Sequence, residues 1–305
     1  MNQPNQRAIS ASEQSFIVEG CRQNCRQDGR ACNEIRAYML DYGTTEAGEG
    51  SDPLVLSHGS ARIFLPTGEL NILVSVRAGL AIPSRARPDE GMISVHVDLL
   101  QNTGQKRDED LKSTLTELFV PHLLNKKDLC VVPQHYVWRL DIDLLVLSSD
   151  GGSLLDACGR GIQGALASTR IPVVTQIPQS KQSEGVTLET DGDLKSAKYI
   201  AGVENPPYIQ TVTILKAEGS KTPTFVLDAT KEEELCAVAQ VHVVLEESSG
   251  GKIKICALHK SGGGSLPLAL LQDLTTFVAK TSSGSVRKTS FGTSRMMFET
   301  FMVNQ

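Results

Sequence analysis

The chain has 305 residues, 40% of them hydrophobic and only 5% aromatic, with a formal net charge of −5. That length holds one large domain or two ordinary ones, and supports a core without disulfide or metal staples. The acidic balance excludes a chain that coats nucleic acid by net charge, and the scarcity of aromatics excludes a broad base-stacking platform.

In chain order, residues 1–11 read as a polar tail, and residues 12–24 as a short helix opening on Ser12 before a turn at Asp28-Gly29-Arg30. Residues 60–79 read as a hairpin around Thr67-Gly68, and Ile93 to Leu100 as a strand with Ser94, His96 and Asp98 on one face. Helical spacing follows over 108–124, with Leu111, Leu115 and Leu118 on one stripe. HYVWRLDIDLLVL alternates again, turning Tyr136, Trp138, Leu140, Ile142 and Leu144 inward and Arg139, Asp141 and Asp143 outward. A DGGS turn then opens a helix at about 153–168. After a polar loop at 178–196, strands are expected at 208–215, 223–228, 236–246 and 252–259, the last two joined by a turn at 248–251. An amphipathic helix over 267–281 and a Ser/Thr-rich tail from 283 complete the chain. Two strand-then-helix halves without a linker, about 12–125 and 126–282, imply one α/β (α+β) unit with internal pseudo-symmetry.

The longest unbroken apolar run, Leu235 to Ala239, has five residues, far short of the roughly 20 that a membrane helix needs. The opening MNQPNQRAISASEQ has no apolar stretch of the secretory kind. Seven cysteines without a C-x-x-C pair read as reduced thiols, and no metal site is expected at Cys21, Cys25 and Cys32. Charge is uneven: residues 221–250 hold two Lys against six acids, net −4, while 251–305 hold seven Lys/Arg against two acids, net +5.

The literal G-x-G-x-x-G-A at Gly159, Gly161, Gly164 and Ala165 falls inside the expected helix, not in the turn before it. A dinucleotide needs free N–H groups at a strand-to-helix turn, so these glycines are read as helix-on-sheet packing. DGGS does sit at such a turn, but Leu154, Leu155 and Asp156 follow it where a phosphate user places a base; a plain helix cap is the expectation. DATKEEEL, Asp228 to Leu235, clusters carboxylates that could hold a cation or do acid–base work, and is read as a solvated acidic turn. The six histidines are scattered, and H-E-x-x-H, G-x-S-x-G and Walker A patterns are absent.

CRQDGR (Cys25 to Arg30), GSARIFL (Gly59 to Leu65), NILVSV, Pro83 with PDEG (Pro88 to Gly91), LSSDGGSLLDA (Leu147 to Ala157), ALASTRIP (Ala165 to Pro172) and VLDATKEEE occur in this order. The set, spanning about 12–282, resembles the RNase PH-fold family. Within it the chain looks like the non-catalytic ring subunits of the RNA exosome, of the ribosomal RNA-processing protein 42 type. The resemblance implies an RNase PH fold (ribosomal protein S5 domain 2-like): two βαβα-like halves with mixed sheets and packed helices. It also implies a six-membered ring of such subunits around an RNA channel, S1/KH-type cap subunits on one face, and work in nucleus, nucleolus and cytoplasm. No cofactor is implied. Phosphorolytic members place an Arg directly after the turn that ends here at Ser153, and an essential Asp beyond the acidic stretch. The matching positions are Leu154 and Gln240, so catalysis is not expected to carry over. The alternative is an active phosphate-dependent 3′-to-5′ exoribonuclease. Candidate RNA contacts are Lys106 and Arg107, expected in the loop before the helix at 108–124, and then Arg85 and Arg87 in the SRARP loop; solvated loop charge is the plain alternative for all four.

Overall fold

Helix α1 (Ala11–Arg22) starts where Ser10 accepts the Glu13 N–H at 3.2 Å. The cap is therefore Ser10, not Ser12: only Ser10 has an acid three residues on. The computed structural model describes residues 9–42, 57–100, 105–177, 187–190, 196–203, 206–220, 222–247, 253–263 and 265–282. After α1 come β1 (Met39–Tyr42), β2 (Gly59–Phe64), β3 (Leu70–Ala81) and β4 (Met92–Leu99). Helix α2 (Gln105–Thr114) runs through a π-helical turn at Leu115–Phe119 into the single turn α3 (Val120–Leu123). The expected helix thus begins three residues early, at Gln105, which places Lys106 and Arg107 in its first turn instead of the preceding loop. Strands β5 (Cys130–Val132) and β6 (Tyr136–Ser149) precede α4 (Leu154–Ser168).

Next come β7 (Arg170–Ile171), β8 (Val174–Ile177), β9 (Thr187–Thr190) and β10 (Lys198–Tyr199). β8 and β9 pair, so part of the expected polar loop is a strand; 178–186 and 191–195 lie outside the described residues. β11 (Tyr208–Leu215), β12 (Thr224–Leu227), α5 (Lys231–Leu235), β13 (Ala239–Glu247), β14 (Ile253–Ser261) and α6 (Leu268–Ser282) complete the order. The expected turn at 248–251 and the tail from 283 also lie outside the described residues.

Two sheets dominate. The first has the order β1-β2-β3-β6-β4, with β5 on β6, and the second β12-β11-β13-β14. β6 buries Leu140, Ile142 and Leu144 on the inner face that its alternation foretells. Its pairing with β4 is parallel, a long-range choice that no local pattern signals. Because β6 belongs to the first sheet, the boundary near 125 does not separate the two sheets.

Helix α4 lies between the sheets, packing on β2 and β3 from one side and β11 from the other. A Cβ added at Gly161 would meet Val74 at 2.8 Å, and one at Gly159 would meet Ile209 at 3.1 Å. The glycines are thus bare because both sheets approach the helix closely, and the motif is packing. A separate cluster joins Ile17, Val18 and Cys21 of α1 to Leu215, Val226 and Cys236. Among the described residues, no helix is long and apolar enough to cross a membrane.

Candidate functional site

The DGGS turn is built for one position. Gly152 has φ +75°, and a Cβ there would lie 2.4 Å from the Ala229 carbonyl oxygen and 2.7 Å from Lys231 N. Only glycine lets the turn reach the acidic segment this closely. Ser153, the residue before α4, is left-handed at φ +47°, and its buried hydroxyl donates to Ala229 O at 3.2 Å. Its backbone N–H, which the end of a helix leaves free for an anion, donates instead to Glu234 Oε1 at 2.8 Å. The chain's own carboxylate occupies that place.

The acidic stretch is not a solvated turn. It forms α5, opened by a capping box in which Thr230 and Glu233 each accept the other's backbone N–H. Asp228, itself at φ +47°, is buried. It accepts from Arg36 N, Nε and Nη2 at 2.7, 2.9 and 2.6 Å, from Arg30 Nη1 at 3.0 Å, and from Tyr38 Oη at 2.7 Å. Burial alone would push this carboxyl up, but the hydrogen bonds and charge of Arg36, helped by Tyr38, hold it well below the usual carboxylate range. Glu233 is buried against Arg26, with Nε to Oε1 at 2.8 Å and Nη2 to Oε2 at 2.6 Å. The consecutive glutamates do not share one ion because their side chains diverge: Glu233 goes inward to Arg26 and Glu234 to Ser153.

Glu234 closes the corner. Burial raises its carboxyl above the ordinary value, against the Ser153 N–H, a hydrogen bond with the Gln240 side chain, and the charges of Arg107 and Arg36. The structure therefore brings Ser153, Gln240 and Arg107 together around a residue that the sequence reading placed only in a solvated acidic stretch. Leu154, the next residue, is half-buried and packs on the main hydrophobic core. It offers the corner no charge. The signal for Glu234 was its place in the acidic stretch; its partner Ser153 lies 81 positions upstream.

The four basic candidates divide between two ends of the first sheet. β6 pairs its Arg139 with Met92 at the start of β4, and its Val146 with Leu99 at the end of β4. The turn carrying Arg85 and Arg87 lies between β3 and β4, at the Arg139 end, where Ala81 faces Val137. α2 follows the other end of β4, beside the DGGS turn. At about 3.3 Å per residue, Arg139 and Ser149 are roughly 33 Å apart along β6. Arg107 is exposed and stands with the Glu234 corner; the side chain of Lys106 lies outside the described residues. Arg85 and Arg87 are exposed, and Arg87 pairs with Glu90 at 3.2 Å.

The chain matches the model of the 3′ exoribonuclease family (RNase PH), domain 1, over residues 53–172, and domain 2 over residues 208–277. It is 26% identical to a putative exosome complex exonuclease RRP42 of Dictyostelium discoideum, covering 83% of this chain and 88% of that one. Identity to the exosome complex component RRP45 of Saccharomyces cerevisiae is 24%, over 86% and 83% of the two chains. Relatives thus carry both type names. A solved archaeal exosome core superposes with a TM-score of 0.66 at 20% identity, covering 91% of this chain and 95% of that one. Two sheets holding one helix between them, and two family domains matched in order, agree: the chain belongs to the 3′ exoribonuclease family and has the RNase PH fold.

Proposed function

We propose that this chain is a non-catalytic subunit of an RNA exosome ring, a wall of the RNA channel that supports 3′-to-5′ RNA processing and degradation. The names of its relatives and fold neighbours, exosome complex components and an exosome core, support this reading, in which other RNase PH-fold subunits stand beside it and RNA passes through. S1/KH-type caps on one face, and residence in nucleus, nucleolus and cytoplasm, belong to the same reading.

One observation carries the absence of catalysis. The anion place at the DGGS turn is filled from within by Glu234, and on the resemblance read from the sequence Leu154 and Gln240 match the positions of the phosphate-holding Arg and the essential Asp. A leucine cannot hold phosphate, and a neutral amide neither protonates a leaving oxygen nor holds Mg²⁺ strongly. Arg107, in the first turn of α2, is the group here that meets an RNA phosphate without reading bases.

Incubating the purified chain with unstructured RNA, phosphate and Mg²⁺ tests this directly. The expected result is no release of nucleoside diphosphates. Release that disappears on Glu234→Gln in a chain that still folds would establish the exonuclease named for the Dictyostelium relative and overturn the wall reading. In the reconstituted ring, Arg107→Ala should reduce RNA crosslinking more than Arg85→Ala with Arg87→Ala. Equal loss from both would remove Arg107 from the RNA path.

A further inference from the structure

A line of polar side chains crosses the interior from α4 to the edge of the second sheet, apart from the corner described above. Asp156, buried in the first turn of α4, accepts the Thr211 N–H through Oδ2 at 2.9 Å, and its Oδ1 bonds the Thr211 hydroxyl. The same hydroxyl lies 2.9 Å from His242 Nδ1, and His242 Nε2 lies 3.0 Å from Ser261 Oγ. Thr211, His242 and Ser261 sit on β11, β13 and β14, so the line steps strand by strand outward. Asp156 is buried, whereas Ser261 is only half-buried.

The Thr211 hydroxyl has one proton and stands between two acceptors, so the line has two internally consistent states. With Asp156 ionised, Thr211 donates to Asp156, His242 Nδ1–H donates to Thr211, and Ser261 donates to Nε2. With Asp156 protonated every bond reverses: Asp156 donates to Thr211, Thr211 to Nδ1, and Nε2–H to Ser261. We propose that Asp156, Thr211, His242 and Ser261 form a proton relay, which carries a solvent proton from the β14 edge to the sealed Asp156 carboxyl and switches His242 between its neutral tautomers. The balance is simple. Nε2 gains a proton at the Ser261 end, Nδ1 passes its own to the Thr211 oxygen, and Thr211 passes its own to Asp156. No other group changes charge.

The surroundings favour this exchange. Asp156 faces Arg160 from its own helix, the Cys158 thiol, and Asp228 beyond β12. Burial lifts its carboxyl to about 7, although Thr211 and Arg160 oppose the rise. His242 faces His259, its register partner on β14, with ring centroids 6.0 Å apart. Burial, with the His259 charge behind it, lowers the His242 imidazole to about 4, so it stays neutral while Asp156 titrates. The relay does not depend on the ring assignment.

The test is a two-bond proton–nitrogen spectrum of the histidine rings of the ¹⁵N-labelled full chain, from about pH 5 to pH 9. His242→Gln identifies the signal. The Nε2–H tautomer is expected at low pH and Nδ1–H at high pH, with a midpoint near 7. Asp156→Asn, whose amide donates as the protonated acid does, should hold Nε2–H throughout. Thr211→Val should abolish the pH dependence, and Thr211→Ser should restore it, separating loss of the hydroxyl from loss of packing. One unchanging tautomer in the unaltered chain overturns the relay, as does a switch that survives Asp156→Asn.

Discussion

Asp228 and Glu233 on one side, and Glu234 on the other, belong to one short acidic stretch and live under opposite regimes. The first two are clamped by Arg26, Arg30, Arg36 and Tyr38 from the N-terminal segment, deep enough that their charges have no other use. Glu234 meets a backbone N–H and an amide, with Arg107 nearby as the exposed cation. The difference teaches that a charge run is not one feature. Side-chain direction assigns two of these acids to architecture and leaves the third at the corner formed by the DGGS turn and α5.

The strongest way to break this comparison is Glu233→Ala. It strands the Arg26 guanidinium in the interior and should cost about 3–5 kcal/mol in denaturant unfolding, as the loss of one buried partner does. A cost below about 1 kcal/mol would place Glu233 with Glu234 and dissolve the distinction.

Acidity sharpens it next. Asp228 titrates lower in the fold than its ordinary 3.8, so its contribution is complete above that pH and fades as pH falls further. Glu234 is raised above 4.5, so its ionised form becomes a burden as pH climbs past that value. Thermal melts should therefore show Asp228→Asn well below the unaltered chain at neutral pH, with the gap narrowing below about pH 4. Glu234→Gln should instead improve against the unaltered chain from pH 4 to pH 7, and cost less than about 1 kcal/mol at its worst. Parallel pH trends for the two variants would contradict their opposite environments.

The smallest expected effect concerns phosphate at the DGGS turn. Leu154→Arg alone should leave ³¹P signals of inorganic phosphate unmoved, because Glu234 still holds the Ser153 N–H. Adding Glu234→Gln should produce a weak, saturable shift. Phosphate binding by the single variant would show that Glu234 does not close the corner.

Much of this was legible in the sequence. Alternation exposes β2, β3, β4, β6, β11 and β13, and the placement of Gly159, Gly161 and Gly164 inside a helix already argues for packing over a nucleotide. What stayed hidden is long-range. The acidic stretch reads as solvated because Arg26 is 207 positions from Glu233 and Arg36 is 192 from Asp228. Arg107 looked like a loop charge because its helix begins earlier than its leucine stripe. Glu234 looked redundant because nothing local tells three consecutive glutamates apart.

The Arg26–Glu233 pair also bears on how the chain is made. Arg26 leaves the ribosome 207 residues before its partner, a delay of roughly 10–40 s at ordinary synthesis rates. Through that interval Arg26 has no buried carboxylate to close upon, although Arg36 can already meet the Gly151 carbonyl oxygen. The first sheet can assemble from β1 to β6 meanwhile. Residues made well before their partner are thus among the last to dock, and any pause in translation before Glu233 leaves Arg26 without its buried carboxylate while the first sheet is already formed.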